Sequence, residues 1–364
     1  MICKDVFCQH GLSTQFSTKG TGKHMHGRIL LIYATALISL ALIIGCGGTK
    51  ETVTTLPEES AEISEAVVDT AISEEVVTEP VVETGTIVEI KDTAVQLTSG
   101  AIDNGFASYS PDGREIVFQS NRDGIWQIYR MDLNDLTETR LIESEANDEN
   151  PVWTQDGALL LFVSDRGSQG VEWNRDIYSF NPVDGTIIRL TDSPGDDWSP
   201  IPVDDISFIF LSERGSSQDV PVYHRKNCLY KGFYNGDPPE LVADEEVDPS
   251  SPAVLVDGRF AFRDSEGHIV ILDPLNMESE RVTPSTMHCG FISADKTDGW
   301  LVFTARLSDK YSIYIFDPLT RTIQSIVTEA GDVRIPHFAP DTSALIYTAT
   351  IGDHFQIFEQ KISR

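Results

Sequence analysis

The sequence is poor in positive charge. Its 364 residues hold 27 Lys and Arg against 57 Asp and Glu, for a net charge of −30 at pH 7. A surface of that sign repels phosphate backbones and anionic headgroups, which excludes nucleic acid as a partner class and favours basic proteins or metal ions. Catalytic signatures are missing too. There is no Gly-x-Ser-x-Gly elbow, no His-Glu-x-x-His or His-x-x-x-His spacing, and no glycine-rich phosphate loop. The longest apolar run, Ile29 to Ile44, falls short of the ~20 residues that span a bilayer. Cysteine is scarce: Cys3 and Cys8 precede that run, Cys46 follows it, and Cys228 and Cys289 lie far apart downstream. Two thiols in non-adjacent repeats read as buried and free rather than as a disulfide. Helical periodicity is absent from the second half of the chain.

What the second half contains is one pattern written six times. A strand meets an acidic turn, an apolar strand ends on an aromatic, and a third strand carries another aromatic. The turn acids are Asp112, Asp156, Asp204, Asp257, Asp298 and Asp341, spaced by 44, 48, 53, 41 and 43 residues. The second-strand aromatics are Phe118, Phe162, Phe210, Phe262, Phe303 and Tyr347, and those of the third strand are Tyr129, Tyr178, Tyr230, Tyr314 and Phe358, with Val270 in the fourth copy. Period-two alternation between Asp-Gly, Asn-Pro and Asp-Pro punctuation is the mark of short strands joined by tight turns. A repeat of roughly 40–45 residues built this way specifies a β-propeller blade. The aromatics are expected between blades, since each blade buries a face on its neighbour. Five copies end in a fourth strand, and the sixth does not. The segment Ala94 to Gly100 resembles those fourth strands, so it is expected to pair with the last blade and close the ring. The fold class is therefore all-β, a six-bladed propeller over residues 87–364.

The copies SYSPDGREIVFQSNRDGIWQIYRMD, from Ser108, and IIRLTDSPGDDWSP, from Ile187, resemble the TolB-type propeller repeat. The resemblance spans about residues 90–364 and is most specific in the first three copies. It implies a six-bladed ring around a central channel, used for binding rather than for chemistry. The α/β domain that precedes the propeller in TolB has no counterpart in this sequence, so a part in the Tol–Pal system does not follow. The Gly-His and Trp-Asp pairs of WD repeats are absent.

The front of the chain indicates where it resides. Lys19, Lys23 and Arg28 precede the apolar run, and Gly45-Cys46-Gly47-Gly48 follow it. A basic region, a short apolar core and a small residue before a cleavage point describe a secretory signal over residues 1–45. Met25 gives a more usual signal length than Met1. Ile43-Ile44-Gly45-Cys46 resembles the bacterial lipobox, which implies an acylated Cys46 and a membrane contact through lipid. An uncleaved anchor and an ordinary signal with an incidental cysteine are the competing readings. Gly47 in place of Asp favours the outer membrane, facing the periplasm or the cell surface. Residues 46–86 are acidic and lack strand or helix period, as expected of a disordered tether.

Acids also gather just before each first strand: Asp103, Asp148, Asp196, Asp197, Asp248 and Asp332, with His288 at the fifth connection. In a propeller these connections share one face, so the group is a candidate channel-mouth site for Ca²⁺ or a basic partner segment. The alternative is that each Asp caps its own turn. The leading expectation is an envelope-anchored, non-catalytic binding or scaffold protein without cofactor, recognising an envelope protein or glycan. The alternative from another class is a metal-dependent glycan-degrading enzyme with its site in the channel, for which His288 and His337 are the pair to inspect.

Overall fold

A computed structural model describes residues 88–90, 93–168, 174–217, 219–221, 224–244, 247, 252–306, 310–326 and 331–363. The signal region, Met25, Cys46, the tether and Asp248 lie outside the described residues. Twenty-five strands are present and no α-helix is found among the described residues.

Two short strands, β1 (Glu89–Ile90) and β2 (Val95–Gln96), precede the repeats. Blade one holds β3 (Asn104–Tyr109), β4 (Glu115–Ser120), β5 (Gln127–Asp132) and β6 (Glu138–Arg140). Blade two holds β7 (Asp148–Trp153), β8 (Leu160–Ser164), β9 (Asp176–Phe180) and β10 (Ile187–Arg189). Blade three holds β11 (Asp197–Pro202), β12 (Ser207–Ser212), β13 (Cys228–Phe233) and β14 (Glu240–Ala243). Blade four holds β15 (Ala253–Val254), β16 (Phe260–Arg263), β17 (Ile269–Leu272) and β18 (Ser279–Arg281). Blade five holds β19 (His288–Ala294), β20 (Leu301–Arg306), β21 (Tyr311–Asp317) and β22 (Thr322–Ile326). Blade six holds β23 (Val333–Phe338), β24 (Ala344–Ile351) and β25 (His354–Ser363). Each is an antiparallel meander, and β3, β7, β11, β15, β19 and β23 approach one another in ring order around the hub.

The last blade takes its outer strand from the start of the domain. Val95 pairs with Glu359 and Gln96 with Phe358, while Glu89 and Ile90 pair with Ser363 and Ile362. Thr98 locks this closure: its hydroxyl donates to Gln356 Oε1 at 2.9 Å and accepts the Ile357 N–H at 2.9 Å.

The repeat's aromatics form the core. The six second-strand rings are at most 1% exposed. Five lie against their third-strand partners with centroids 5.7–5.9 Å apart, four of them stacked, as Phe162 is on Tyr178, and Phe210 tilted against Tyr230. Six apolar clusters result, each drawing on two adjoining blades. Burial between blades, rather than within one sheet, is what makes the ring necessary.

The inner strands share an irregularity. Their pairing with the second strand slips by one residue in blades one, two, three, five and six, for example between Glu149 and Val152. Phe106, Asn150, Ser199 and Ile335 occupy the first bulge position with φ of 51–54°, and Pro151, Pro200 and Pro336 follow three of them. A bulge leaves a backbone N–H out of the ladder, so proline is tolerated there, and the bend re-aims the strand toward the axis.

The blade-five turn differs from the sequence expectation. Asp298 is not the acid that caps it. Asp295 Oδ1 accepts the backbone N–H of Asp298 at 3.2 Å and of Trp300 at 2.9 Å, and Thr297 donates to Oδ2. In the other blades the capping acid stands inside the turn, as Asp112 does between Ser110 and Arg114. In blade five it has moved to the last residue before the turn.

Candidate binding site

The described acids before the inner strands do not form an open ring of carboxylates. Asp148, Asp196 and Asp197 are fully buried. In blades one, two, three and six two consecutive residues open the inner strand (Asp103-Asn104, Asn147-Asp148, Asp196-Asp197 and Asp332-Val333), and the first of them ties its blade to the one before it. Asp103 Oδ1 accepts the N–H of Phe355 at 3.0 Å, Asn147 Oδ1 that of Trp126 at 3.1 Å, Asp196 Oδ1 that of Arg175 at 2.9 Å and Asp332 Oδ1 that of Tyr311 at 2.9 Å. Each acceptor fills a gap at the start of the preceding third strand. The turn-capping alternative is close to this arrangement, except that the cap reaches across the blade junction.

In blades one, two and three the second residue pairs with an arginine that the sequence reading left unassigned. Ser-x-Arg recurs at 120–122, 164–166 and 212–214. Each arginine's Nε donates to the serine hydroxyl two residues earlier, at 2.9–3.0 Å. Its Nη2 reaches Asn104 at 3.2 Å, Asp148 at 2.7 Å or Asp197 at 2.7 Å, and the guanidinium lies over the aromatic pair of its blade. The signal was available as a third in-register column of the repeat. Desolvation still dominates: burial pushes the Asp197 carboxyl up to about 6, against the pull of Arg214 and Ser212.

The open space lies at the other end of the inner strands. A cavity of about 330 Å³ is lined by equivalent residues of all six blades. One level is Ser108, Val152, Ile201, Ala253, Ser293 and His337, and the rim nearest the turns includes Pro111, Gln155, Val256, Lys296 and Pro340. Trp153 lies in the wall, 8% exposed, and its indole N–H has no acceptor among the described residues. Two residues deeper than Ser108, Phe106 meets Phe291 of blade five edge to face, with centroids 5.8 Å apart. Blade six separates these blades in the ring, so the contact passes on the channel side of blade six and narrows the channel at that level.

His337 stands in this cavity, and burial together with the neighbouring Lys296 pushes its pKa down to about 4. His288 does not join it. It is exposed at the opposite end of β19, four residues before Ile292 of the cavity wall, which is ~13 Å of extended strand. Among the described residues no three His, Cys, Asp or Glu side chains come together at metal-ligand spacing. Cys228 and Cys289 are buried and free, and burial pushes the Cys289 thiol up to about 12, which keeps it protonated.

Residues 86–175 match the family described as TolB beta propeller domain. A 95-residue stretch is 36% identical to an uncharacterized protein of Agrobacterium fabrum, covering 26% of this chain and 30% of that protein. The match thus spans less than a third of the relative's length. Among solved structures the chain is similar to a putative TolB from Agrobacterium tumefaciens, at 16% identity and a TM-score of 0.55 over 73% of this chain and 92% of the other. It is also similar to an oligogalacturonate lyase in complex with manganese, at 13% identity and a TM-score of 0.53 over 76% of this chain and 96% of the other. At these identities the likeness is one of fold.

Proposed function

From a TolB-like six-bladed propeller with a pit at its hub, we propose a non-catalytic binding protein of the bacterial cell envelope, which recognises an envelope protein or glycan at the turn-side mouth of the channel. The observation that carries this reading is the cavity of about 330 Å³, to which every blade contributes equivalent wall positions. A concave, mostly apolar site with a few convergent polar groups is the usual form of a ligand seat. The opposite face suits the role less well, because its described acids are committed to blade junctions or to arginines of their own blades. The seat is expected to close when Ser108, half-buried in the wall, is replaced by Trp. The immobilised full chain is exposed to envelope extract, and retained proteins and glycans are identified by mass spectrometry. A discrete ligand held by the wild type and retained at least tenfold less by Ser108→Trp, with melting unchanged, supports the reading. Equal retention by both chains sinks it.

The anchor has its own test. Acylation of Cys46 adds ~0.8 kcal/mol of membrane affinity per buried methylene. Cys46→Ser is expected to move most of the protein from the membrane pellet to the soluble fraction. A variant that stays in the pellet removes the lipid from the account.

A further inference from the structure

The hub cavity holds a cation, Lys296, with no ion-pair partner among the described residues of its own blade. Lys296 sits on the rim where the other blades place Pro111, Gln155, Val256 and Pro340. The nearest acid in sequence, Asp295, has both carboxylate oxygens engaged in its own turn, by the Thr297 hydroxyl and the backbone N–H groups of Asp298 and Trp300. No carboxylate among the described residues offsets the desolvation that lowers the Lys296 pKa. In a chain with 57 acids and 27 bases, a cation left without one is notable for its placement. The wall beside it is otherwise uncharged: apart from Asp295 and Lys296, the cavity is lined by apolar or neutral polar residues, and His337 is neutral at pH 7.

Two further features point the same way. The buried Trp153 indole N–H has no acceptor among the described residues, and leaving such a donor unmade is costly unless a ligand supplies one. An ammonium on the rim of an uncharged cavity likewise gains most from a charged acceptor, since charge-assisted hydrogen bonds are about twice as strong as neutral ones. A cavity of about 330 Å³ also stands at the lower end of the range for small-molecule sites, which limits the occupant to one sugar or a dipeptide.

We propose that the hub cavity takes a small organic carboxylate, with the Lys296 ammonium as its counter-charge and the Trp153 indole N–H as a second donor. The carboxylate comes from a sugar acid or from the C-terminus of a short peptide. This rests on the hub-binding reading above and specifies its ligand.

The test is titration calorimetry on the full chain at pH 7, with glucuronate and N-acetyl-Ala-Ala as probes, each as the free acid and as its methyl ester. One acid is expected to bind, with its ester at least tenfold weaker, and the acid that binds identifies the source. Lys296→Met is expected to weaken the acid at least tenfold, and Lys296→Arg to stay within threefold of wild type. Lys296 is exposed on a turn, so both variants should melt as the wild type does. The proposal is overturned if acid and ester bind alike, if Lys296→Met binds as tightly as wild type, or if neither acid binds. An extract ligand lost in Ser108→Trp but kept in Lys296→Met would sink the carboxylate assignment and leave the binding reading standing. A ligand kept in Ser108→Trp would sink the binding reading itself.

Discussion

Replacing Arg214 by Met is expected to destabilise the propeller by ~1–3 kcal/mol at pH 7, the cost of leaving a buried carboxyl without its partner so that it must take up a proton. Asp197 is fully buried, and Arg214 is the cation that reaches it, at 2.7 Å. Met keeps much of the stem over Phe210 and Tyr230, where the guanidinium now lies, so the lost term is mainly electrostatic. For a domain of this size such a loss lowers the melting temperature by roughly 2–4 °C per kcal/mol. The double variant Asp197→Asn/Arg214→Met should recover most of it, because neither partner is then left charged. Calorimetric melting of the three chains decides the matter, and a double variant no better than Arg214→Met would mean that packing, not charge, was lost.

The pH dependence follows with a definite sign. The folded Asp197 carboxyl titrates at about 6, above its ordinary 3.8, so the folded chain holds the extra proton between those values. This site's contribution to stability therefore falls as pH rises from about 4 to about 6, the reverse of a salt-bridged carboxylate with a lowered pKa. Without Arg214 the carboxyl should hold its proton to still higher pH, so the cost of Arg214→Met should be small at pH 4 and larger at pH 7. Denaturant titrations at both values test this, and equal losses would contradict the buried charge as the cause.

A chain begun at residue 101 is expected to lose closure and, with it, most of its solubility. It would lack β1 and β2, the buried Val88, the partly buried Leu97 and the two hydrogen bonds of Thr98. These contributions sum to on the order of 5 kcal/mol, a large share of the net stability of a domain. The outer edge of β25 would also be left with unpaired N–H and C=O groups, a template for association between chains. Sedimentation should show aggregates, and melting should fall by more than 10 °C. A monomeric, cooperatively melting product would show that three strands of blade six suffice to hold the ring.

The blade count, the strand order and the aromatic core were legible because they are periodic. Phe118, Phe162, Phe210, Phe262, Phe303 and Tyr347 recur in register, and only inter-blade burial satisfies six such rings. The N-terminal closure was legible for the same reason, since the segment near Leu97 repeats a fourth strand that blade six lacks. The candidate site was less legible. Asp103, Asp148, Asp196, Asp197 and Asp332 are acids in two adjacent columns, and a sequence gives their spacing but not which donors surround them. Ser-x-Arg recurs in register with the aromatics in the first three blades. Its meaning depends on arginines returning over the rings of their own blade to meet the carboxylates, a contact 17 or 18 residues distant in sequence.

Sequence alone determined that this chain is a six-bladed propeller with a strongly acidic balance, because strand period and repeat length are local properties that survive without coordinates. Tertiary structure alone decided which polar groups are spent and which are free. Burial turned the described acids of one face into junction ties, at Asp103, Asp196 and Asp332, or into partners of an arginine in the same blade, at Asp148 and Asp197. The bulged inner strands brought Lys296, His337 and Trp153, from three separate blades, to one cavity. No spacing along the chain encodes that meeting, since it arises only when the ring closes.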